Sequence, residues 1–165
     1  MHFSIAPLLP EHWPAVRDIY RQGIETGSAT FETQLPDWER WDAAHRKDCR
    51  LIAIQDEVLG WAALSPVSTR HVYRGVAEVS VYVTGSARGC GIGKALLTSL
   101  IQASEAKGTW TLQAGIFPEN AASIALHKSC GFREVGVRKK IGALKGIWRD
   151  VLLLERRSTT LNENL

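Results

Sequence analysis

The spacing of polar and apolar positions along this chain changes several times, and each change marks an element. From His2 to Pro7 the residues alternate, the period of a half-buried strand. After Pro10-Glu11-His12-Trp13 the period becomes helical. Trp13, Val16, Ile19, Tyr20 and Ile24 fall on one face, which predicts a helix to about Ile24. Gly27-Ser28-Ala29-Thr30 breaks it, and a second helix is expected from Pro36-Asp37 towards Cys49, carrying Trp38 and Trp41. Leu51 to Gln55 and Leu59 to Leu64 read as an antiparallel hairpin turned at Asp56-Glu57, with Glu78 to Val83 as the next strand. Ile92, Leu96, Leu100 and Ala103 recur at helical spacing in a run that continues to about Lys107, and Leu97 and Ile101 widen that face. Thr109 to Ile116 reads as a strand and Ala121 to Cys130 as a helix capped by Gly131. Phe132 to Ile141 and Ile147 to Glu155 are the last two strands, and the polar segment Arg156 to Leu165 is expected to fray. The order β-α-α-β-β-β-α-β-α-β-β implies an α/β (α+β mixed) fold with a partly antiparallel sheet. It fits one domain over residues 1–155 and a polar tail over 156–165.

Composition narrows the partners. Hydrophobic residues make up 45% of the 165 and charged residues 22%, ordinary for a soluble globular chain. The net charge of +3 is small and mixed along the sequence, so it argues for neither nucleic acid nor membrane as a partner. The three cysteines are odd in number and form no C-x-x-C pair, which suggests reduced thiols in a cytoplasmic protein, with neither a disulfide framework nor a metal site. No N-terminal signal pattern and no long apolar run is present.

The chemistry gathers at Arg88-Gly89-Cys90-Gly91-Ile92-Gly93-Lys94, between the strand Ala77 to Val83 and the helical run. A glycine-rich turn there presents the unpartnered N–H groups of a helix start, where the dipole favours an anion such as phosphate. Gly89, Gly91 and Gly93 lack a Cβ, so a pyrophosphate can approach the backbone, and Arg88 and Lys94 add positive charge. The spacing is not the dinucleotide fingerprint G-x-G-x-x-G, and Ala95 after Gly93-Lys94 excludes a Walker loop. A glycine turn that merely caps the helix is the plainer alternative.

R-x-x-G-x-G after a V-x-V strand resembles the acetyl-CoA pyrophosphate loop of the GCN5-related N-acetyltransferases. A second segment, Asn120-Ala121-Ala122-Ser123-Ile124-Ala125-Leu126-His127 followed by Gly131-Phe132, is similar to that family's N-x-x-[SA]-x-x-L-[YH] pattern with its G-F ending. Thr30-Phe31-Glu32-Thr33, Glu78 to Val83, Leu126-His127 and Trp148-Arg149-Asp150-Val151 resemble its phosphinothricin and methionine sulfoximine acetyltransferase branch. The resemblance implies a single-domain fold with helices on both faces of the sheet. It implies acetyl-CoA as co-substrate with no metal, a small-molecule amine as acceptor, and a homodimer.

Acetyl transfer to an amine needs a neutral nucleophile, a stabilised thioester oxygen and a proton for the leaving thiolate. The resemblance makes Glu78 the base, acting directly or through one water, and His127 the acid that serves the thiolate. Val81, Tyr82 and Val83 would hold the pantetheine arm through their main chain, as a strand edge holds a peptide. Asn120 would bond the same arm, although helix capping alone explains an Asn there. Phe31 would wall the acceptor pocket, His71-Val72-Tyr73 would meet the acceptor's head group, and Arg70 and Arg74 could pair a carboxylate. Glu78 has a plainer reading as a solvated strand-end carboxylate, His127 as a half-buried helix residue, and the two arginines as surface charge. Trp148-Arg149-Asp150 would close the pocket or meet a second copy. Trp13, Trp38 and Trp41 read as core or interface. Two other functions compete: acetylation of peptide or protein N-termini, and CoA sensing without turnover.

Overall fold

The computed structural model describes residues 2–161. Its strands are β1 (Ser4–Pro7), β2 (Leu51–Ile54), β3 (Val58–Pro66), β4 (Val76–Val83), β5 (Thr111–Ile116), β6 (Arg133–Leu144) and β7 (Ile147–Arg157). The helices are α1 (Trp13–Glu25), α2 (Trp38–Ala44), α3 (Ile92–Ala106) and α4 (Ala121–Ser129). One seven-stranded sheet runs in the order β1-β2-β3-β4-β5-β7-β6. Neighbouring strands are antiparallel except β4 and β5.

That exception creates the site. β4 and β5 pair in parallel only through Val76–Thr111, Ala77–Leu112 and Glu78–Gln113, and then part. From Val79 to Val83, β4 keeps β3 on one side, while its other edge carries unpaired main-chain groups.

Alternation along β4 divides the core in two. Ala77 and Val79 pack with Leu96, Leu97 and Leu100 of α3 on one face. Tyr82 joins Trp61 of β3, Val16 and Ile19 of α1 and Trp41 of α2 on the other. Gly23 of α1 is buried because the Tyr82 ring lies against it, and an added Cβ would stand 2.6 Å from the ring.

Several boundaries differ from the sequence reading for physical reasons. α2 starts where Asp37 accepts the Arg40 N–H at 2.9 Å, but it stops at Ala44 and does not reach Cys49. Arg50 explains the stop: it bonds the open carbonyls of Asp42 and His45 and pairs with the Asp42 carboxylate at 2.6 Å. β4 begins at Val76, so Glu78 is not at the strand's start but inside it, flanked by Ser65 and Gln113. β7 runs on to Arg157, and Ser158 is buried, with its N–H on the Trp110 carbonyl. The fraying expected of 156–165 therefore does not include Arg156 to Ser158, and its last four residues lie outside the described part. Among the described residues no helix is long and apolar enough to cross a membrane.

Candidate active site

A cavity of about 980 Å³ fills the opening between β4 and β5. At one end stands the turn before α3. Gly89 and Gly91 have φ of +75° and +80°, and no atom would meet a Cβ on either within 4 Å. The helix's first main-chain bond runs from the Ala95 N–H to the Gly91 carbonyl. The N–H groups of Ile92, Gly93 and Lys94 thus precede the helical ladder and are free to meet an anion, with Arg88 and Lys94 in the same wall. Cys90 belongs to the turn but does not border the cavity. Gly93 borders the cavity as its motif suggested and has a second role as well. It lies inside α3, and a Cβ there would come within 3.2 Å of Leu126, so its small size lets α3 and α4 pack closely.

The free edge of β4 supplies the middle of the cavity through Val81, Tyr82 and Val83. Asn120 faces it from the start of α4, with both ends of its side chain engaged. Oδ1 accepts the Ser123 N–H at 3.2 Å, and Nδ2 donates to the Ser28 carbonyl at 3.2 Å. Capping therefore accounts for Asn120 locally, and the second bond ties α4 to the loop between α1 and α2.

At the far end Glu78 lines the cavity, and its Oε1 accepts from the Gln113 amide at 3.2 Å. Gly115 lies beside it, and a Cβ there would stand 3.2 Å from Val151 and 3.9 Å from the Glu78 carboxylate, so the glycine leaves room in front of the oxygen. Phe31 roofs this end, edge-on to Phe117 at 4.9 Å and close against Gly142 of β6. Arg149 fixes the roof. It lies 4.1 Å over Phe117 and donates to the Gly27 carbonyl at 3.1 Å and to Glu119 at 3.3 Å. Trp148 points elsewhere and is 62% exposed.

His71, Val72 and Tyr73 form a short 3-10 turn before β4 and do not border the cavity; Val72 and Tyr73 are exposed. The structure does not bring them to the site as the sequence reading expected, nor Arg70 and Arg74, which lie over Tyr73 and Trp110. Gln113, Gly115 and Arg149 are residues whose place at the site sequence reasoning misses or leaves vague. Gln113 had a signal, as the one amide in the strand Thr111–Ile116.

His127 is buried at 5% exposure and lines the cavity. Its Nδ1 lies 2.7 Å from the Ser123 carbonyl, which places the ring's proton on Nδ1 and leaves Nε2 an acceptor. Burial lowers its pKa, against the smaller opposing effect of that carbonyl. The acid role expected of His127 would draw on a proton at Nε2, and burial works against the charged ring that carries one there. His45 is also lowered, first by burial, with the Trp41 carbonyl opposing and Arg50 adding to the effect. For both, the folded pKa lies below the unfolded value of about 6.5. As pH falls through that value the unfolded chain takes up protons that the folded chain refuses, so stability is full above it and is lost below. Thermal unfolding should show a falling Tm between pH 7 and 5.5, with a shallower fall in His127→Phe. An equal slope in that variant would remove His127 from the explanation.

Free main-chain N–H groups at a helix start, an open strand edge and a carboxylate thus border one cavity, an arrangement that could serve group transfer from a phosphate-bearing donor. The Acetyltransferase (GNAT) family model matches residues 13–132, and the chain belongs to that family. It is an N-acetyltransferase that uses acetyl-CoA. The chain is 37% identical to phosphinothricin N-acetyltransferase of Alcaligenes faecalis over 87% of its own length and 76% of the relative's. It is 32% identical to the L-methionine sulfoximine/L-methionine sulfone acetyltransferase of Pseudomonas paraeruginosa, over 86% and 87%. Among solved structures, ribosomal-protein-alanine N-acetyltransferase from Brucella melitensis superposes with a TM-score of 0.87 at 35% identity, covering 94% of this chain and 99% of that one.

Proposed function

We propose that this enzyme acetylates the α-amine of a small amino-acid-like acceptor, of the phosphinothricin or methionine sulfoximine type, by direct transfer with both substrates bound. The observation that carries the reading is that the free N–H groups at the start of α3, the free β4 edge and Glu78 border one cavity. Both substrates can then meet there without a covalent enzyme intermediate, and none of Cys49, Cys90 and Cys130 borders that cavity. Acetyl-CoA would lay its pyrophosphate on the N–H groups at the start of α3 and its pantetheine along Val81 to Val83. Glu78, oriented by Gln113, takes the ammonium proton. The amine nitrogen attacks the thioester carbon, the C–N bond forms, and the C–S bond breaks. The proton lost from nitrogen as the amide forms balances the departing thiolate. His127 stands beside this path as a proton acceptor. Holding the two reactants in line supplies much of the rate.

The named activities of the Alcaligenes and Pseudomonas relatives support a small zwitterionic acceptor. The name of the Brucella structure favours a second reading, acetylation of a protein N-terminus. Against it stand the Alcaligenes and Pseudomonas relatives, both named for small acceptors. Phosphinothricin, methionine sulfoximine, methionine and a short peptide with N-terminal alanine should be compared by kcat/KM, with release of free CoA thiol as the signal. Acceptors with oxygen-bearing tips should exceed methionine by about 10²-fold or more, on the order expected when a site's polar groups would otherwise go unpaired. The peptide should be poor. A preferred peptide would establish the second reading, and absence of thiol release with every amine would point to a sensor. A homodimer belongs to the same proposal, for which the exposed Val137 and Trp148 on the β6–β7 hairpin offer an apolar surface.

A further inference from the structure

With Arg70 and Arg74 outside the cavity, the lysines and arginines of its wall are Arg88, Lys94 and Arg138. Arg88 and Lys94 belong to the start of α3. Arg138 comes from β6, on the side of Glu78. Glu78 of β4 stands opposite Gln113 of β5, Gly115 opposite Leu153 of β7, and Val151 of β7 opposite Arg138. Opposed residues share a face of a sheet, as do residues two apart along a strand, so these side chains form one row. The row is tight, since Val151 Cγ1 and Glu78 Oε1 both lie within 4 Å of where a Gly115 Cβ would stand. Arg138 is the next residue across the sheet from Val151. It is exposed, and its guanidinium has no partner among the described residues. Arg133, Arg149 and Arg156 of the same two strands each pair with a glutamate.

A bulge in β6 brings Arg138 and Ile141 to the same cavity. β6 advances four residues from Arg138 to Gly142 while β7 advances two, from Val151 to Arg149. In a regular strand residues three apart face opposite sides, yet Arg138 and Ile141 both line the cavity. Bulges re-aim side chains in this way, and they gather next to active sites. The Lys140 N–H pins this one by donating to the Asp150 carboxylate at 2.8 Å. Lys140 itself has φ +48°, in the left-handed region that side chains other than glycine's avoid. Strain of that kind persists where the surrounding structure enforces it, and it clusters at functional sites.

We propose that Arg138 binds the carboxylate of the acceptor, that Asp150 positions it through the bulge, and that the pair makes the enzyme select a free amino acid over a peptide N-terminus. The proposal rests on the small amino-acid reading above. An amino acid whose amine reaches Glu78 brings its own carboxylate into the field of the Glu78 charge, and a cation on the far side offsets that repulsion. Arg138 stands on that side, and a guanidinium fork matches a carboxylate in shape as well as charge. A peptide or an amide lacks the charge, so Arg138 gains no ion pair from it.

L-Methionine sulfone and its α-carboxamide are the probe pair. Their amines differ in basicity, so the readout is the change in their kcat/KM ratio between enzymes, from which that difference cancels. Arg138→Gln should lower the acid-to-carboxamide ratio by about 10- to 100-fold, the scale of a hydrogen bond to a charged group. The loss should fall on KM for the acid, with kcat/KM for the carboxamide and CoA affinity by calorimetry unchanged. Arg138→Lys should lower the ratio less and Arg138→Glu more. Asp150→Ala should lower it too, and adding Asp150→Ala to Arg138→Gln should lower it no further. Arg70→Gln and Arg74→Gln should leave it in place. A wild-type ratio in a folded Arg138→Gln enzyme that still acetylates the acid would make Arg138 a surface charge, and the small-acceptor reading would stand without it. A ratio lost in Arg74→Gln instead would move the carboxylate site to the turn before β4. If the wild-type enzyme acetylates the peptide with N-terminal alanine and not methionine sulfone or phosphinothricin, the small-acceptor reading falls first and takes this one with it.

Discussion

Glu78→Gln is expected to lower kcat/KM for the amine at neutral pH by about 10²- to 10⁴-fold, the usual worth of a positioned general base. The substitution preserves shape, and the Gln113 amide that now donates to the Glu78 oxygen at 3.2 Å can donate to an amide oxygen equally well. A loss would therefore report the missing base, not a displaced strand. Two further readouts isolate it. High pH should recover part of the rate, because solvent then supplies the free amine that Glu78 otherwise generates. Acetyl-CoA affinity by calorimetry should not change, since the N–H groups at the start of α3 and the β4 edge lie elsewhere in the cavity. A folded Glu78→Gln enzyme with wild-type kcat/KM across pH would remove Glu78 from the chemistry and leave it a strand carboxylate held by Gln113.

Much of this architecture is written in local pattern. The helical face of Ile92, Leu96, Leu97 and Leu100 predicts a buried α3, and those four side chains are buried. The β2–β3 hairpin and the order of elements are legible for the same reason: apolar period and turn residues act over a few positions. The glycines of the motif at residues 88–94 are legible as a turn because positive φ favours glycine, and Gly89 and Gly91 have it. Long-range geometry is where pattern fails. The end of α2 depends on Arg50, eight residues beyond Asp42. The partner of Glu78 depends on the register of β4 against β5, 35 residues apart. Phe31 borders the cavity, as its sequence neighbours suggest, yet what holds it, the reach of Arg149 to Gly27 across 122 residues, has no local signature. His71 to Tyr73 look well placed along the chain, just before β4, but the 3-10 turn puts them outside the cavity. Gly93 shows the same limit within a recognised motif. It borders the cavity, as its neighbours in sequence suggest, but its packing against Leu126 has no local signature.

That contrast between glycines gives the second large effect. Gly91→Val should weaken acetyl-CoA binding by about 10²-fold or more, while the protein still folds. Gly91 has φ +80° and precedes the free N–H groups of α3, so a branched side chain there would occupy the space a pyrophosphate needs. A Cβ at this position would have no neighbouring atom within 4 Å, so the ligand-free fold meets no clash. It bears only the cost of a left-handed L-residue, about 1–2 kcal/mol, or a few degrees in Tm. Gly93→Ala should do the reverse. Its methyl would press on Leu126 at 3.2 Å and strain the α3–α4 contact, at a cost of about 1–3 kcal/mol typical of overpacking. The Gly93 N–H would remain, so the loss of affinity should be smaller than for Gly91→Val. Calorimetry with CoA and thermal unfolding on both variants separate the two roles. Unchanged affinity in a folded Gly91→Val protein would mean that the turn is a helix cap and nothing more, and that the pyrophosphate, if bound at all, rests elsewhere in the cavity.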